Sequence, residues 1–325
     1  MHRRAKWCRP PNCYGKVATL NSPQYTSELV KKLNLSVKEY PTVDSEVFFT
    51  HAGTPYLTSP GVALIARSAT NLSGMASFLE GFGDSLNFGD YLNDPDILDD
   101  GAQLCKTAGQ LCYASFGQKR SYNKDAARYF DNIRTSGHGS VLEHATFTFV
   151  IYGISRSVTH EIVRHRAGTA FSQISQRYVS GRVLRFVERP EYACDADLHA
   201  QFLDRIDRSA ADYEATAERL LQLQKEGTEL LGGEQRTDLR KKVQQAARSV
   251  LPNETEAPLV MTGNVRSWRH FIEMRASSHA EVEIRNVALQ IYLCLSHCEP
   301  LLFSDYSLVL QPDGIYSVET ETSKV

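Results

Sequence analysis

The stretch Arg164-His165-Arg166-Ala167-Gly168-Thr169-Ala170-Phe171-Ser172-Gln173-Ile174-Ser175-Gln176-Arg177-Tyr178 places three cationic or titratable side chains in a row, followed by a turn and a polar run. In the preceding residues, 155–163, the apolar side chains of Val158 and Ile162 lie four positions apart, which is typical of a helix. Glycine commonly ends a helix, so we predict that this helix frays near Gly168. Arg164, His165 and Arg166, the basic triplet, would then lie in its last turn.

The triplet has two interpretations. Cationic side chains suit the negative end of a helix dipole and can simply decorate the last turn. Ordinary decoration does not need two arginines around a histidine, followed at once by serine, glutamine and a further arginine. Guanidinium forks and hydroxyls at this density suit a ligand with phosphates and amide edges, so we favour a binding site.

The composition of the whole chain is that of a globular protein without bulk basic character. Of the 325 residues, 42% are hydrophobic and 23% are charged, and the net charge of −2 does not favour nucleic acid as a partner. No apolar run approaches the length of a membrane span, and no apolar core follows the basic start. We therefore expect a cytoplasmic protein without membrane association. The seven cysteines are scattered, so we predict free thiols and no metal site.

Hydrophobic periodicity and turn residues predict three parts: an N-terminal extension over 1–60, a main domain over 61–300 and a C-terminal tail over 301–325, mobile from Glu319. Strand patterns cover 62–66, 146–151 and 182–187. Helix patterns cover 102–114, 123–134 with a cap at Asn123, 202–226, 234–250 and 280–298. The acidic, glycine-rich segment 78–100 is predicted as a loop or an insertion.

A further block, 263–279, also has helical spacing. As a helix it would place Met274 in or near the core, together with Trp268, Phe271 and Ile272. Arg275 and His279 are four positions apart, so we predict that they share a face. In this near-neutral chain, arginine rather than lysine dominates the informative segments, which favours bidentate recognition of a nucleotide. The concentrated groups are Arg164, His165, Arg166, Arg177, Arg248, Arg266 and Arg275, with Ser172, Gln173, Ser175 and Asn264.

Three separated motifs, in order, resemble the flavin-dependent thymidylate synthases, a family distinct from the enzyme with a cysteine nucleophile. The first is a Gly-His turn that ends in Glu143-His144, just before a strand. The second is the Arg-His-Arg triplet followed by a spacer and Ser-x-Arg-Tyr, and the third is Asn264-x-Arg266. The resemblance spans roughly Val62 to Glu299. The spacer, Ala167 to Ile174, is one residue longer than is usual in the family.

The resemblance implies a role for individual residues. Arg248 matches the arginine that binds phosphate, and Arg275 matches the catalytic arginine that polarises the uracil ring. The residues expected to bind FAD are His138, Ser140, Glu143, Arg164, His165, Arg166, Gln173, Asn264, Arg266 and His270. The residues expected to bind the pyrimidine nucleotide are Glu161, Arg164, Gln173, Ser175, Gln176, Arg177, Arg248 and Arg275.

The family also implies an α+β fold, with a mixed or antiparallel sheet and a helical part, assembled as a homotetramer with shared active sites. The implied reaction is reductive methylation of dUMP to dTMP, in which methylenetetrahydrofolate gives the carbon and NADPH reduces FAD. A fixed guanidinium can stabilise the negative charge that develops on the uracil ring, while the flavin supplies the redox chemistry.

Two alternatives remain open. The first is a paralogue that methylates UMP, or both UMP and dUMP. It is suggested by the longer spacer, which would lie beside the nucleotide. A non-enzymatic nucleotide- or RNA-binding protein on the same fold is the second, and an absence of bound flavin would favour it.

Overall fold

The computed structural model describes residues 19–20, 35–36, 39–178, 184–227, 229–231 and 236–322. Most of the predicted extension, with Cys8 and Cys13, lies outside the described residues, as do positions 182–183 of a predicted strand. No helix in the described part is long and apolar enough to cross a membrane.

The described residues form twelve strands in three sheets. The strands are β1 (Thr19–Leu20), β2 (Leu35–Ser36), β3 (Thr42–Val43), β4 (Val47–Phe49), β5 (Pro55–Leu57), β6 (Gly61–Arg67), β7 (Thr146–Tyr152), β8 (Thr169–Gln173), β9 (Phe186–Val187), β10 (Leu259–Asn264), β11 (Tyr306–Leu310) and β12 (Tyr316–Thr320). The main sheet has the order β2-β3-β6-β7-β10-β8, a second has the order β4-β5-β9, and a third has the order β1-β11-β12.

Ten α-helices occur in the same described residues. They are α1 (Ala76–Glu80), α2 (Asp100–Cys112), α3 (Ala126–Thr135), α4 (Arg156–Ile162), α5 (Pro190–Ala193), α6 (Ala196–Lys225), α7 (Arg236–Ala247), α8 (Val265–Arg275), α9 (Val282–Cys298) and α10 (Pro300–Phe303). The predicted helices at 102–114, 202–226, 234–250 and 280–298 are confirmed as α2, α6, α7 and α9, with ends that differ by a few residues.

The main sheet is antiparallel throughout, and its centre carries the core. Along β7 the side chains alternate, so that Phe147, Phe149 and Ile151 are buried. On β10 the alternate residues Leu259 and Met261 are buried in the same way. The only parallel pair of described strands joins β5 to β9. The predicted α+β class with a mixed or antiparallel sheet is therefore confirmed.

Two helices cover the core in different ways. Helix α9 is apolar on almost every side and buried, as predicted for 280–298. Helix α8 buries Trp268, Phe271 and Ile272, but Met274 is 51% exposed, so the prediction that it lies in or near the core is wrong. Because α8 ends at Arg275, His279 lies beyond the helix and the predicted shared face does not form.

Several local predictions are corrected. The segment 78–100 is not simply a loop, because α1 and two short 3-10 helices pack Leu79, Phe88 and Tyr91 around Phe116, and its interpretation as an insertion stays a prediction. Asn123 does not cap its helix, since its side chain instead binds Lys106 and lies buried.

The described C-terminal residues, up to 322, are held in the fold, whereas 323–325 of the predicted mobile tail lie outside the described residues. The hairpin of β11 and β12 packs against α8, where the Val318 N–H donates to the Ala276 carbonyl at 2.9 Å. Arg269, which is 1% exposed, pairs with Asp305 at 2.7 Å, and the Thr322 hydroxyl also contacts that carboxylate. A buried guanidinium needs an anion, so this end of the chain completes the core.

Candidate functional site

The junction of β10 and α8 forms one wall of the candidate site. Asn264 ends the strand and caps the helix, because its Oδ1 accepts the Ser267 N–H at 2.8 Å. The Ser267 hydroxyl lies 2.8 Å from the same oxygen and 2.7 Å from the Ala167 carbonyl oxygen. This corner therefore ties the basic triplet's loop to the start of α8. Sequence reasoning missed Ser267, although Asn-x-x-Ser before an apolar run is a typical capping pattern.

Gly168 allows the loop to approach this corner closely. Its φ of +68° lies in the left-handed region, and a Cβ at this position would lie 2.4 Å from the Ser267 hydroxyl and 2.5 Å from the Asn264 side-chain nitrogen. The backbone then enters β8, which pairs with β10 at the edge of the main sheet. Helix α4 ends at Ile162, so the prediction that the triplet lies in its last turn is wrong.

Arg275, at the end of α8, binds two residues from the segment around the triplet. Its Nε donates to His165 Nε2 at 2.8 Å, and its Nη1 donates to Glu161 Oε2 at 2.7 Å. The Nη2 group lies 3.5 Å from the Glu161 carbonyl oxygen. The side chain is 20% exposed, and two of its five N–H groups have no acceptor among the described residues. The arrangement orients the guanidinium and leaves part of it available to a ligand.

His165 must be neutral to accept this hydrogen bond. Burial, together with the smaller effects of the nearby Arg275 and His270, lowers its pKa to about 4. Its ring lies 5.6 Å from that of His270 and 5.0 Å from that of Phe271. The site thus contains an uncharged imidazole at neutral pH, held between an arginine and an aromatic ring.

The lowered pKa of His165 predicts a loss of stability in weak acid. The unfolded chain, with the ordinary pKa of 6.5, takes up this proton more readily than the folded chain, so the free energy of unfolding falls as pH drops from about 6.5 toward 4. After allowance for solvent screening, the fall from pH 7 to 5 should be about 1 kcal/mol larger in wild type than in His165→Asn. Urea unfolding at both pH values measures the difference, and equal pH dependence would contradict it.

Helix α4 contacts the polar run through two residues that the sequence did not single out. Gln173 Nε2 donates to the Thr159 hydroxyl at 3.3 Å, and Arg156 Nη1 donates to Gln176 Oε1 at 3.3 Å. The Gln176 Nε2 atom is buried and has no hydrogen-bond partner in the described residues. Positions 156 and 159 are one helical turn apart and therefore lie on the same face of the helix, which is the sequence pattern that could have identified them. One short helix thus positions several of the predicted nucleotide-binding residues.

The Gly-His turn forms a 3-10 helix, Gly139–Glu143, on the other side of α8. Glu143 pairs with Arg266 of α8 at 2.6 Å, and both side chains are more than two-fifths exposed. His138 and Ser140 flank Gly139 and are exposed. The structure therefore brings together two of the three motifs at this point.

Several other predicted site residues make few contacts or none within the described part of one chain. Arg164 and Arg166 are exposed and make no side-chain hydrogen bond or ion pair there. Arg248 is half-buried in a 3-10 turn after α7 and likewise has no described partner. Arg177 stacks 5.5 Å from the Tyr178 ring, and Ser175 accepts the Arg177 N–H at 3.3 Å.

The residues present fit a large anionic ligand. The unpartnered guanidinium groups and the buried, unsatisfied amide nitrogen of Gln176 are hydrogen-bond donors, which a phosphate and a ring carbonyl can satisfy. No group of three or more histidine, cysteine or carboxylate side chains suited to a metal occurs among the described residues.

Comparison with known proteins identifies relatives of this chain. A sequence model described as "Thymidylate synthase complementing protein" matches residues 96–301. The flavin-dependent thymidylate synthase of Mycolicibacterium gilvum (strain PYR-GCK) is 44% identical over 217 residues, which cover 66% of this chain and 84% of that protein. The enzyme of the same name from Mycobacterium tuberculosis (strain ATCC 25177 / H37Ra) is 43% identical over 216 residues, with the same coverage of 66% and 84%.

Among solved structures, the chain is similar to the UMP/dUMP methylase PolB from Streptomyces cacaoi, bound with 5-Br dUMP. The TM-score is 0.52 at 20% sequence identity, and the match covers 76% of this chain and 93% of that one. At this identity the likeness establishes a shared fold.

Proposed function

Because the chain belongs to the flavin-dependent thymidylate synthase family, we propose that it methylates C5 of the uracil of dUMP to give dTMP. Methylenetetrahydrofolate supplies the carbon, and NADPH supplies the reducing equivalents through FAD. The observation that carries this proposal is the Arg275 guanidinium, held by a neutral His165 and by Glu161.

This arrangement suits activation of a uracil ring. C5 becomes nucleophilic when negative charge that develops along the N3–C4–O4 edge of the ring is stabilised. The remaining Arg275 N–H groups can donate to that edge, and the permanent charge of arginine needs no proton donor of matched pKa. Glu161 and His165 fix the orientation of the guanidinium before substrate arrives, so little reorganisation is needed when charge develops. No cysteine nucleophile takes part.

The flavin would be held by the exposed donors around the triplet and α8. When bound, FAD carries reducing equivalents from NADPH to the carbon that is being transferred. Asn264 uses its Oδ1 for the helix cap, which leaves its amide nitrogen for the cofactor. The residues that we assign to FAD are His138, Ser140, Glu143, Arg164, His165, Arg166, Gln173, Asn264, Arg266 and His270.

The nucleotide would be held by the polar run and by Arg248. Charge-assisted donors suit the 5′-phosphate, and Arg248 and Arg177 can supply them. The buried Gln176 amide, already oriented by Arg156, is suited to a ring carbonyl or sugar oxygen. We assign Glu161, Arg164, Gln173, Ser175, Gln176, Arg177, Arg248 and Arg275 to the substrate.

We further infer a homotetramer in which each site takes residues from more than one chain. Two observations support this. Arg164, Arg166 and Arg248 have no described partner within one chain, although each is assigned to a ligand. The side chains of Tyr178 and Met274, beside assigned residues, are 60% and 51% exposed, which is typical of surface that a neighbouring chain can cover.

The second candidate is a synthase that methylates UMP. The observation that favours it is the spacer between Arg166 and Ser175, one residue longer than is usual in the family. This spacer includes the Gly168 turn and the whole of β8, and it leads directly to residues assigned to the nucleotide. An added residue there can change the space around the 2′ position of the sugar.

Release of tritium from C5-labelled nucleotide separates these candidates. With FAD, NADPH and methylenetetrahydrofolate present, we expect release from dUMP and little from UMP. Release from UMP, alone or as well, would support the second candidate. Release from neither, by a pure protein that contains no flavin, would contradict both and would favour a non-enzymatic nucleotide-binding protein.

A further inference from the structure

A buried carboxylate, Glu283, lies behind the helix that carries Glu161. It is 2% exposed and belongs to the first turn of α9. Its Oε1 accepts the Ser155 N–H at 2.6 Å, and its Oε2 accepts the Ser155 hydroxyl at 2.8 Å. Both oxygens of Glu283 therefore bind one residue, Ser155.

Ser155 is the N-cap of α4. Its hydroxyl oxygen accepts the Val158 N–H at 3.3 Å, while the hydroxyl hydrogen points to Glu283. Glu283 thereby fixes the direction of the hydroxyl and leaves a lone pair for the cap. With seven residues, α4 is too short to be stable alone, so its cap and packing set its position.

The small helix α4 carries three side chains that contact the rest of the candidate site. Glu161 binds Arg275, Thr159 accepts from Gln173, and Arg156 donates to Gln176. On the other side, α9 follows directly after α8, the helix that ends at Arg275. Glu283 thus links α4, which carries Glu161, to α9, the next helix along the chain after the one that carries Arg275.

We propose that Glu283 is a positioning residue for this reaction, which acts through the Ser155 cap to hold Glu161 against Arg275. The inference rests on the proposed function, since the kinetic role exists only if Arg275 activates the nucleotide. In this role Glu283 itself does not touch substrate or flavin. Its effect is geometric, and small displacements of catalytic groups have large effects on rate.

The chain contains a matched control at the other end of α9. Glu299 is 0% exposed, and its two oxygens accept the Gly101 and Ala102 N–H groups at 2.8 and 2.9 Å. It caps the start of α2, which carries no residue assigned to the site. Both carboxylates are buried, and burial raises the pKa of each to about 7, while Glu299 differs in that Arg67 Nη2 also lies 3.5 Å from its Oε1.

The test compares Glu283→Gln, Ser155→Ala and Glu299→Gln in the full chain with FAD, NADPH, methylenetetrahydrofolate and dUMP. A glutamine at 283 cannot accept both Ser155 bonds, so kcat should fall by about ten- to a hundredfold with flavin content retained. Ser155→Ala should cause a similar loss, and the double variant should lose no more than either single one, because both act through one contact. Glu299→Gln should lower the melting temperature but keep kcat within about twofold.

Crystal structures of the variants separate failure of this inference from failure of the proposed function. Glu283→Gln should break the Glu161–Arg275 contact, which is 2.7 Å in the wild-type chain, and Glu299→Gln should keep it. This readout does not depend on turnover by the wild type. The inference is overturned if the contact survives in Glu283→Gln, or if Glu283→Gln and Glu299→Gln lose kcat equally. If Glu283→Gln does not fold, Ser155→Ala alone carries the same expectations.

Discussion

Arg275→Ala is expected to abolish measurable turnover while FAD stays bound. The substitution removes the group that stabilises charge on the uracil ring, and loss of one such donor commonly lowers kcat by about 10²–10³-fold. The flavin contacts assigned here come from other side chains, so the cofactor should remain. Tritium release measures turnover, and the flavin absorbance of the purified protein measures occupancy.

Two further variants sharpen this result. Arg275→Lys keeps a positive charge but loses the fork that binds His165 and Glu161 together, so it should recover only a small part of the rate. Arg219→Ala, on an exposed face of α6 with a side chain 58% exposed, should stay within about twofold of wild type. Turnover within a few-fold of wild type in Arg275→Ala would show that the role given to Arg275 is wrong.

Gly168→Ala is expected to lower the free energy of unfolding by about 3 kcal/mol, through backbone strain and a steric clash together. The new Cβ would lie within 2.5 Å of both Asn264 and Ser267, so the corner between the triplet's loop and α8 must open. Flavin content should fall as well, because Asn264 and the triplet are assigned to the cofactor. Urea unfolding and flavin absorbance provide the two measurements.

Gly314→Ala is the matched control for this change. Gly314 has a φ of +79°, and a Cβ there would have no atom within 4 Å, so only the strain remains. Its cost should be about 1 kcal/mol, with flavin content unchanged. Equal losses of stability in both variants would show that the clash at the corner has no effect.

The core elements were predictable because each has a strong pattern of its own. Strand β7 alternates β-branched and aromatic side chains, and α9 is a long, mostly apolar segment without glycine or proline. Strand β8 was not predictable in this way. It contains one large apolar residue, Phe171, among small and polar ones, and it becomes a strand because it pairs with β10. Helix α4 ends before the predicted position for a related reason, because the loop after it is held by Ser267.

The candidate site was predictable as a set of residues, but its internal contacts were not. The resemblance of three motifs pointed to Arg275, Glu161 and His165 separately. Arg275 lies 110 residues from His165 and 114 from Glu161, and no local pattern specifies which atoms meet. The role of Ser155 and Glu283 was equally hidden, because a buried carboxylate that serves a helix cap resembles any other glutamate in an amphipathic segment.

The third sheet has a consequence for the order in which the fold can be completed. Strand β1 at Thr19–Leu20 pairs with β11 at Tyr306–Leu310, which is made at the other end of synthesis. Strand β1 can therefore pair with β11 only after almost all of the described chain has left the ribosome. Asp305, which lies directly before this hairpin and pairs with Arg269 of α8, is made equally late. The main sheet needs β10 at Leu259–Asn264, so both that sheet and the wall that holds Arg275 are completed only after most of the described chain has been made.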